Sequence, residues 1–180
     1  MNFFNLKDIN KTIENSNFNK LYGESVIMES AGLENDASTK IYDIFLSHSY
    51  LDSKQIYVIK KEIENMGFSV YVDWIEDFTL NRKNVNKKTA LLLKKRMESC
   101  KSLFYATTEN YQHSKWMPWE LGYFDGIKGK VAVLPILFDE NSIFEGTEYL
   151  ELYPYVDKGA SKQNLLINDN GCTSFLDWIK

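Results

Sequence analysis

From about residue 41 onward, compact apolar runs alternate with amphipathic stretches. Residues 42–46 (YDIFL) form a short apolar run with polar flanks, which predicts a strand buried on both faces. Ile56, Ile59, Ile63 and Met66 recur at helical spacing, and Gly67 follows as a C-terminal stop signal. A second strand is expected at 68–72 (FSVYV), then a long polar loop over 73–86, then a helix containing 91–97. A third strand is expected at 102–106, and a helix within 114–129. A fourth strand spans 131–137 (VAVLPIL), where Pro135 suggests an edge or bulge position. A short fifth strand at 153–156 and a terminal helix at 173–179 complete the pattern.

Strands that alternate with helices build a parallel sheet covered on both faces. Ligands of such sheets bind outside the carboxyl ends of the strands. That rule places the turn after the first strand, the 73–86 loop and the approach to the 114–129 helix on one rim. Residues 1–40 differ in character, being rich in Asn, Ser and Glu. They are read as an N-terminal helical extension (helices near 4–13 and 18–29) and a linker over 32–40; the main domain is 41–180.

The segment 114–129 reads SKWMPWELGYFDGIKG, mostly apolar around Glu120. Carboxylates are almost never fully buried without a partner, so Glu120 requires either a structural cation or a ligand. A continuous helix would set Trp116, Glu120, Tyr123, Phe124 and Ile127 on one stripe. Pro118, however, belongs in a first helical turn and biases Met117 away from helical geometry. The regular helix is therefore expected to start near Pro118, with Glu120 in its first turn, where the helix dipole favours negative charge.

Composition narrows the chemistry. The chain has 180 residues, 44% of them hydrophobic, and a net charge of −4. This suits one folded domain and argues against nucleic acid or an anionic membrane as the main partner. Lys83, Lys87, Lys88, Lys94, Lys95 and Arg96 cluster in sequence and read as a solvated helix face. Two cysteines and two histidines do not supply a disulfide framework or a transition-metal site. No run is long enough to span a membrane and no secretory signal is visible, so a cytoplasmic protein is expected.

Taken in order, YDIFLSHS (42–49), GFSVYVDW (67–74), the loop with Arg82 and the spacing Trp116-x-x-x-Glu120 resemble the TIR (Toll/interleukin-1 receptor) domain, especially its bacterial NAD-cleaving members. The resemblance covers about 41–180. It implies a flavodoxin-like α/β fold with a central parallel sheet of about five strands flanked by helices. It also implies cleavage of the nicotinamide–ribose bond of NAD to give nicotinamide and ADP-ribose, or a cyclic or conjugated ADP-ribose signal, in bacterial antiphage defence. NAD is then a substrate, and no cofactor or metal is expected. Glu120 matches the catalytic glutamate; Ser47, His48, Ser49, Trp74, Arg82 and Trp116 are the candidate substrate-binding residues. The family also implies self-association through TIR surfaces and, through a nucleotide messenger, a separate downstream effector.

One carboxylate suffices for this chemistry. Nicotinamide leaves as a neutral base that needs no proton, unlike the alkoxide displaced in sugar hydrolysis. Ser47 and Ser49 also suit turn and cap formation, His48 is not required as a general base, and Arg82 suits bidentate phosphate recognition. Two rival readings are a non-catalytic TIR interaction module and a nucleoside deoxyribosyltransferase-like enzyme.

Overall fold

The structure is a computed structural model that describes residues 2–15, 18, 20, 22–23, 40–77, 86–139, 141–142, 149–159 and 164–180. In chain order the elements are β1 (Phe4–Asn5), α1 (Leu6–Ile13), β2 (Tyr42–Ser47), α2 (Ser53–Asn65), β3 (Val70–Tyr71), α3 (Asp73–Glu76) and α4 (Lys87–Glu98). There follow β4 (Cys100–Thr107), α5 (Met117–Lys128), β5 (Val131–Leu137), β6 (Tyr155–Asp157), β7 (Leu166–Asn168), β8 (Cys172–Ser174) and α6 (Phe175–Trp178). The sheet order is β3-β2-β4-β5-β6-β7-β8, with β1 added to β5. The five strands β3, β2, β4, β5 and β6 run parallel, as the sequence pattern predicts.

Each sheet face is closed by its own helices. Ile9 of α1, Ile56, Ile59 and Ile63 of α2 and Phe175 of α6 join Ile44, Leu46, Phe104 and Leu134 in one core. Leu93 and Met97 of α4 and Met117, Leu121 and Phe124 of α5 cover Phe45, Leu103, Tyr105 and Val133 on the other face. Gly67 does end α2: its φ is +92°, Gly67 N–H donates to Glu64 O (2.9 Å) and Phe68 N–H to Ile63 O (3.4 Å). These two bonds form a Schellman stop.

Several expectations change. β3 is only two residues long, and the stretch expected as a loop from 73 opens with the short helix α3, while α4 contains 91–97 as expected. The expected terminal helix divides into β8 and α6, and β7 and β8 add an antiparallel edge to the sheet. Pro135 does not mark a sheet edge, because β5 is paired on both sides. Val133 N–H donates to Pro154 O (2.8 Å) on the β6 side, and the next partner on β5 is Phe4 opposite Ile136. N–H groups of residues i and i+2 point the same way along a strand. The donor missing at Pro135 therefore faces the place where β5 exchanges β6 for β1, and no ladder bond is forfeited.

The basic run is not a uniform solvated face. Arg96 is buried, and its Nε and second terminal nitrogen donate to Asp77 Oδ2 (2.7 Å) and Oδ1 (2.6 Å). The Tyr71 hydroxyl donates to the same Asp77 Oδ2 (2.6 Å), which fixes the chain just after α3. Lys83, with residues 78–85, lies outside the described residues.

Candidate active site

The carboxyl ends of β2 and β4 meet the amino end of α5. Ser47, the last residue of β2, is fully buried, and its hydroxyl donates to Glu120 Oε2 at 2.6 Å. Glu120 is itself 0% exposed, in the first turn of α5, and its N–H donates to Trp116 O (2.8 Å). The helix begins at Met117, one residue before Pro118, so Trp116 is its cap rather than part of a stripe. The buried face of α5 is Met117, Glu120, Leu121 and Phe124, while Ile127 is exposed. Trp116 is buried and packs edge-on against Trp119 with centroids 5.4 Å apart. A hydrogen-bond donor and a helix N-terminus both favour the negative charge that burial opposes.

Strand alternation separates the other candidates from this pair. Ser47 points to the α5 face; His48 follows it and is fully buried beside Trp74, which packs on the opposite core. His48 Nδ1 lies 2.8 Å from Leu46 O, and Trp74 Nε1–H donates to His48 Nε2 at 3.0 Å. A carbonyl only accepts and an indole N–H only donates, so these two bonds suit the tautomer with its proton on Nδ1, although Nε2 also lies 3.8 Å from the buried Asp73 Oδ1. The single accepting lone pair of that tautomer, on Nε2, is engaged by Trp74, which leaves it poorly placed to act as a base. Ser49 caps the 3-10 turn Tyr50–Asp52, its hydroxyl accepting from Leu51 N–H (3.4 Å). Arg82 lies outside the described residues. The structure thus brings together Ser47, Trp116 and Glu120 on one face, and His48 and Trp74 on the other.

Two features of this rim escaped the sequence reading. Asp52 is buried and accepts from the Thr108 hydroxyl (2.5 Å) and from Asn110 Nδ2 (2.7 Å), tying the turn after β2 to the turn after β4. Thr108 and Asn110 directly follow an apolar strand, a signal that the carboxyl-end rule could have used. Tyr105 is fully buried and is the direct cross-strand partner of Ser47. Burial, then Tyr149, Tyr111 and Glu120, raise its hydroxyl pKa well above the ordinary phenol value.

A cavity of about 340 Å³ opens elsewhere, between Asp125, Gly129, Val131, Tyr153 and Asp169. It adjoins the far end of α5, roughly 14 Å along the helix from Glu120. Among the described residues no cluster of three or more His, Cys, Asp or Glu side chains could hold a metal ion. Nor is any helix among them long and apolar enough to cross a membrane.

No protein-family model matches the chain. Over 154 residues it is 55% identical to the protein named “Probable 3′ cyclic ADP-D-ribose synthase ThsB′” of Bacillus cereus (strain MSX-D12), covering 83% of this chain and 78% of that protein. Over 97 residues it is 39% identical to a Cytobacillus dafuensis protein provisionally named cyclic ADP-D-ribose synthase TIR2, covering 53% of this chain and 25% of that protein.

Proposed function

The chain belongs to the bacterial TIR family of NAD-cleaving enzymes, and from that membership we propose that Glu120 is the carboxylate at which NAD is cleaved. The observation that carries this reading is the buried Ser47–Glu120 hydrogen bond at the carboxyl rim of the sheet. The bond between the ribose anomeric carbon and the nicotinamide nitrogen breaks heterolytically, and its electron pair leaves with neutral nicotinamide. Positive charge builds on the anomeric carbon, where a preorganised carboxylate in a water-poor pocket stabilises it most strongly. Ser47 holds one carboxylate oxygen, so Glu120 does not have to be reoriented when that charge appears.

Water or a nucleophile of the same nucleotide must then attack the anomeric carbon, and where a hydroxyl attacks, its proton would pass to the Glu120 carboxylate. If water attacks, the product is ADP-ribose; if a hydroxyl of the same nucleotide attacks, it is a cyclic ADP-ribose. Substrate that fills the space around Glu120 and Ser47 would keep water from it, and exclusion of water favours the internal nucleophile over hydrolysis. The names of both relatives agree with a cyclic product. Trp116 would form a wall of the pocket, Arg82 would meet the pyrophosphate, and Ser49, His48 and Trp74 would brace the turn after β2 from the other face. We further assign the enzyme to the cytoplasm, to self-association through its TIR surfaces, and to an antiphage pathway in which a nucleotide product reaches a separate effector.

The test is to incubate concentrated or crowded protein with NAD and separate the products by chromatography. Nicotinamide release is expected, with a cyclic nucleotide as co-product, and Glu120→Gln should lower the rate by about 100-fold or more. Release that persists in Glu120→Gln would remove Glu120 from the mechanism. An inert wild type with intact partner binding would favour an interaction module instead.

A further inference from the structure

Tyr105 has a hydroxyl without an evident structural purpose. The side chain is fully buried, and among the described residues its oxygen has no hydrogen-bond partner. Tyr149 approaches it without reaching hydrogen-bonding geometry. Buried hydroxyls are normally satisfied, and an unsatisfied one calls for a reason such as a ligand or a catalytic role. Phenylalanine would fill the same space without that penalty.

Its position supplies a reason. Tyr105 lies directly across the β2–β4 ladder from Ser47, whose hydroxyl holds Glu120. Its ring shares a core with Trp116 and Leu121, so it stands on the sheet face that α5 covers. Tyr111 packs edge-on against it, with centroids 6.2 Å apart and planes at 76°. The hydroxyl is therefore held in place before any ligand arrives.

We propose that Tyr105 is a substrate-contacting residue, whose hydroxyl donates a hydrogen bond to an oxygen of the NAD ribose that Glu120 serves. The proposal rests on the reading of Glu120 as the carboxylate of an NAD-cleaving enzyme. A neutral donor suits this place. Lysine or arginine would oppose the positive charge that builds on the anomeric carbon, whereas a phenol hydroxyl binds a ribose oxygen without adding charge. Burial first, then Tyr149, Tyr111 and Glu120, hold the phenol in its protonated form, so Tyr105 donates and does not act as a base. A ribose fixed by two groups also presents fewer orientations to an attacking hydroxyl. Tyr105 therefore contributes to the partition between cyclic and linear ADP-ribose.

Tyr105→Phe tests this, because it removes the hydroxyl and keeps the ring. The expected result is a melting temperature equal to or above that of the wild type. Alongside it, kcat/KM for nicotinamide release should fall about tenfold, the scale of one hydrogen bond, and the cyclic fraction of the product should decrease. A purely structural hydroxyl would instead lower the melting temperature when removed, and that result overturns the proposal. Activity within about twofold of wild type, with product ratio unchanged, overturns it too. If that occurs while Glu120→Gln is inactive, only the role of Tyr105 falls. A wild type that releases no nicotinamide even when concentrated overturns the NAD reading itself, and the Tyr105 proposal with it.

Discussion

At the scale of single residues, Ser47 occupies a position that few other side chains would fill. It ends a strand, is fully buried, and places a donor 2.6 Å from a carboxylate that has no solvent contact. Ser47→Ala leaves a buried acceptor short of one donor, which costs about 1–3 kcal/mol. A lower denaturant midpoint with unchanged m-value is expected, together with slower nicotinamide release. Unchanged stability would mean that water or another group replaces the hydroxyl at no cost. Glu120 was legible in the sequence because a carboxylate set among Trp116, Trp119, Tyr123 and Phe124 contradicts ordinary burial. Tyr105 was not, since its meaning depends on the register that sets it beside Ser47. Arg96 was misread for a similar reason: its partner Asp77 belongs to a different element, and spacing within one helix cannot reveal such a pair.

At the scale of elements, Asp43 joins three strands near their amino ends. Its Oδ2 accepts from Ser69 N–H (2.9 Å) and the Ser69 hydroxyl (2.9 Å), and Lys101 donates to its Oδ1 (2.7 Å). Burial alone would raise its pKa, but Lys101 and the two Ser69 donors outweigh that and hold it below the ordinary 3.8. A carboxyl with a lower pKa folded than unfolded binds more protons when unfolded. Its contribution is therefore complete above the unfolded value and disappears as pH falls through the folded one. The stability difference between wild type and Asp43→Asn should be constant near neutral pH and shrink below about pH 4. Unfolding curves at a series of acid pH values measure this, and a difference independent of pH would contradict it. The elements themselves were legible in proportion to their length and apolar content. β5 matches its expected bounds because seven residues carry a continuous apolar signal. β1, β7 and β8 have two or three residues each, too few for any period to register, and they exist because distant partners receive them.

The whole molecule includes its N-terminal segment in the central sheet. Phe4 is fully buried beside β5, Ile9 is buried against α2, Asn2 N–H donates to Asp157 Oδ2 (3.0 Å), and Lys158 N–H donates to Asn2 O (2.9 Å). Removing residues 1–13 would forfeit two buried apolar side chains, Phe4 and Ile9, roughly 3–6 kcal/mol, which is a large part of the stability of an ordinary domain. A fall in melting temperature of roughly 10 °C or more is expected. A truncated protein that keeps its melting temperature and gains activity would instead identify the segment as a removable inhibitor.

The exclusion of solvent from Glu120 has a kinetic consequence for the molecule as a whole. A nucleotide can reach a carboxylate with no exposed surface only in those molecules that have opened. If one molecule in about a hundred is open, the apparent affinity for NAD is about a hundredfold weaker than that of the open form. Any event that favours opening by about 2.7 kcal/mol then changes the output nearly as much as a hundredfold rise in NAD. Below saturation the output of such an enzyme follows the product of its open fraction and its NAD supply, so a change in either is felt alike.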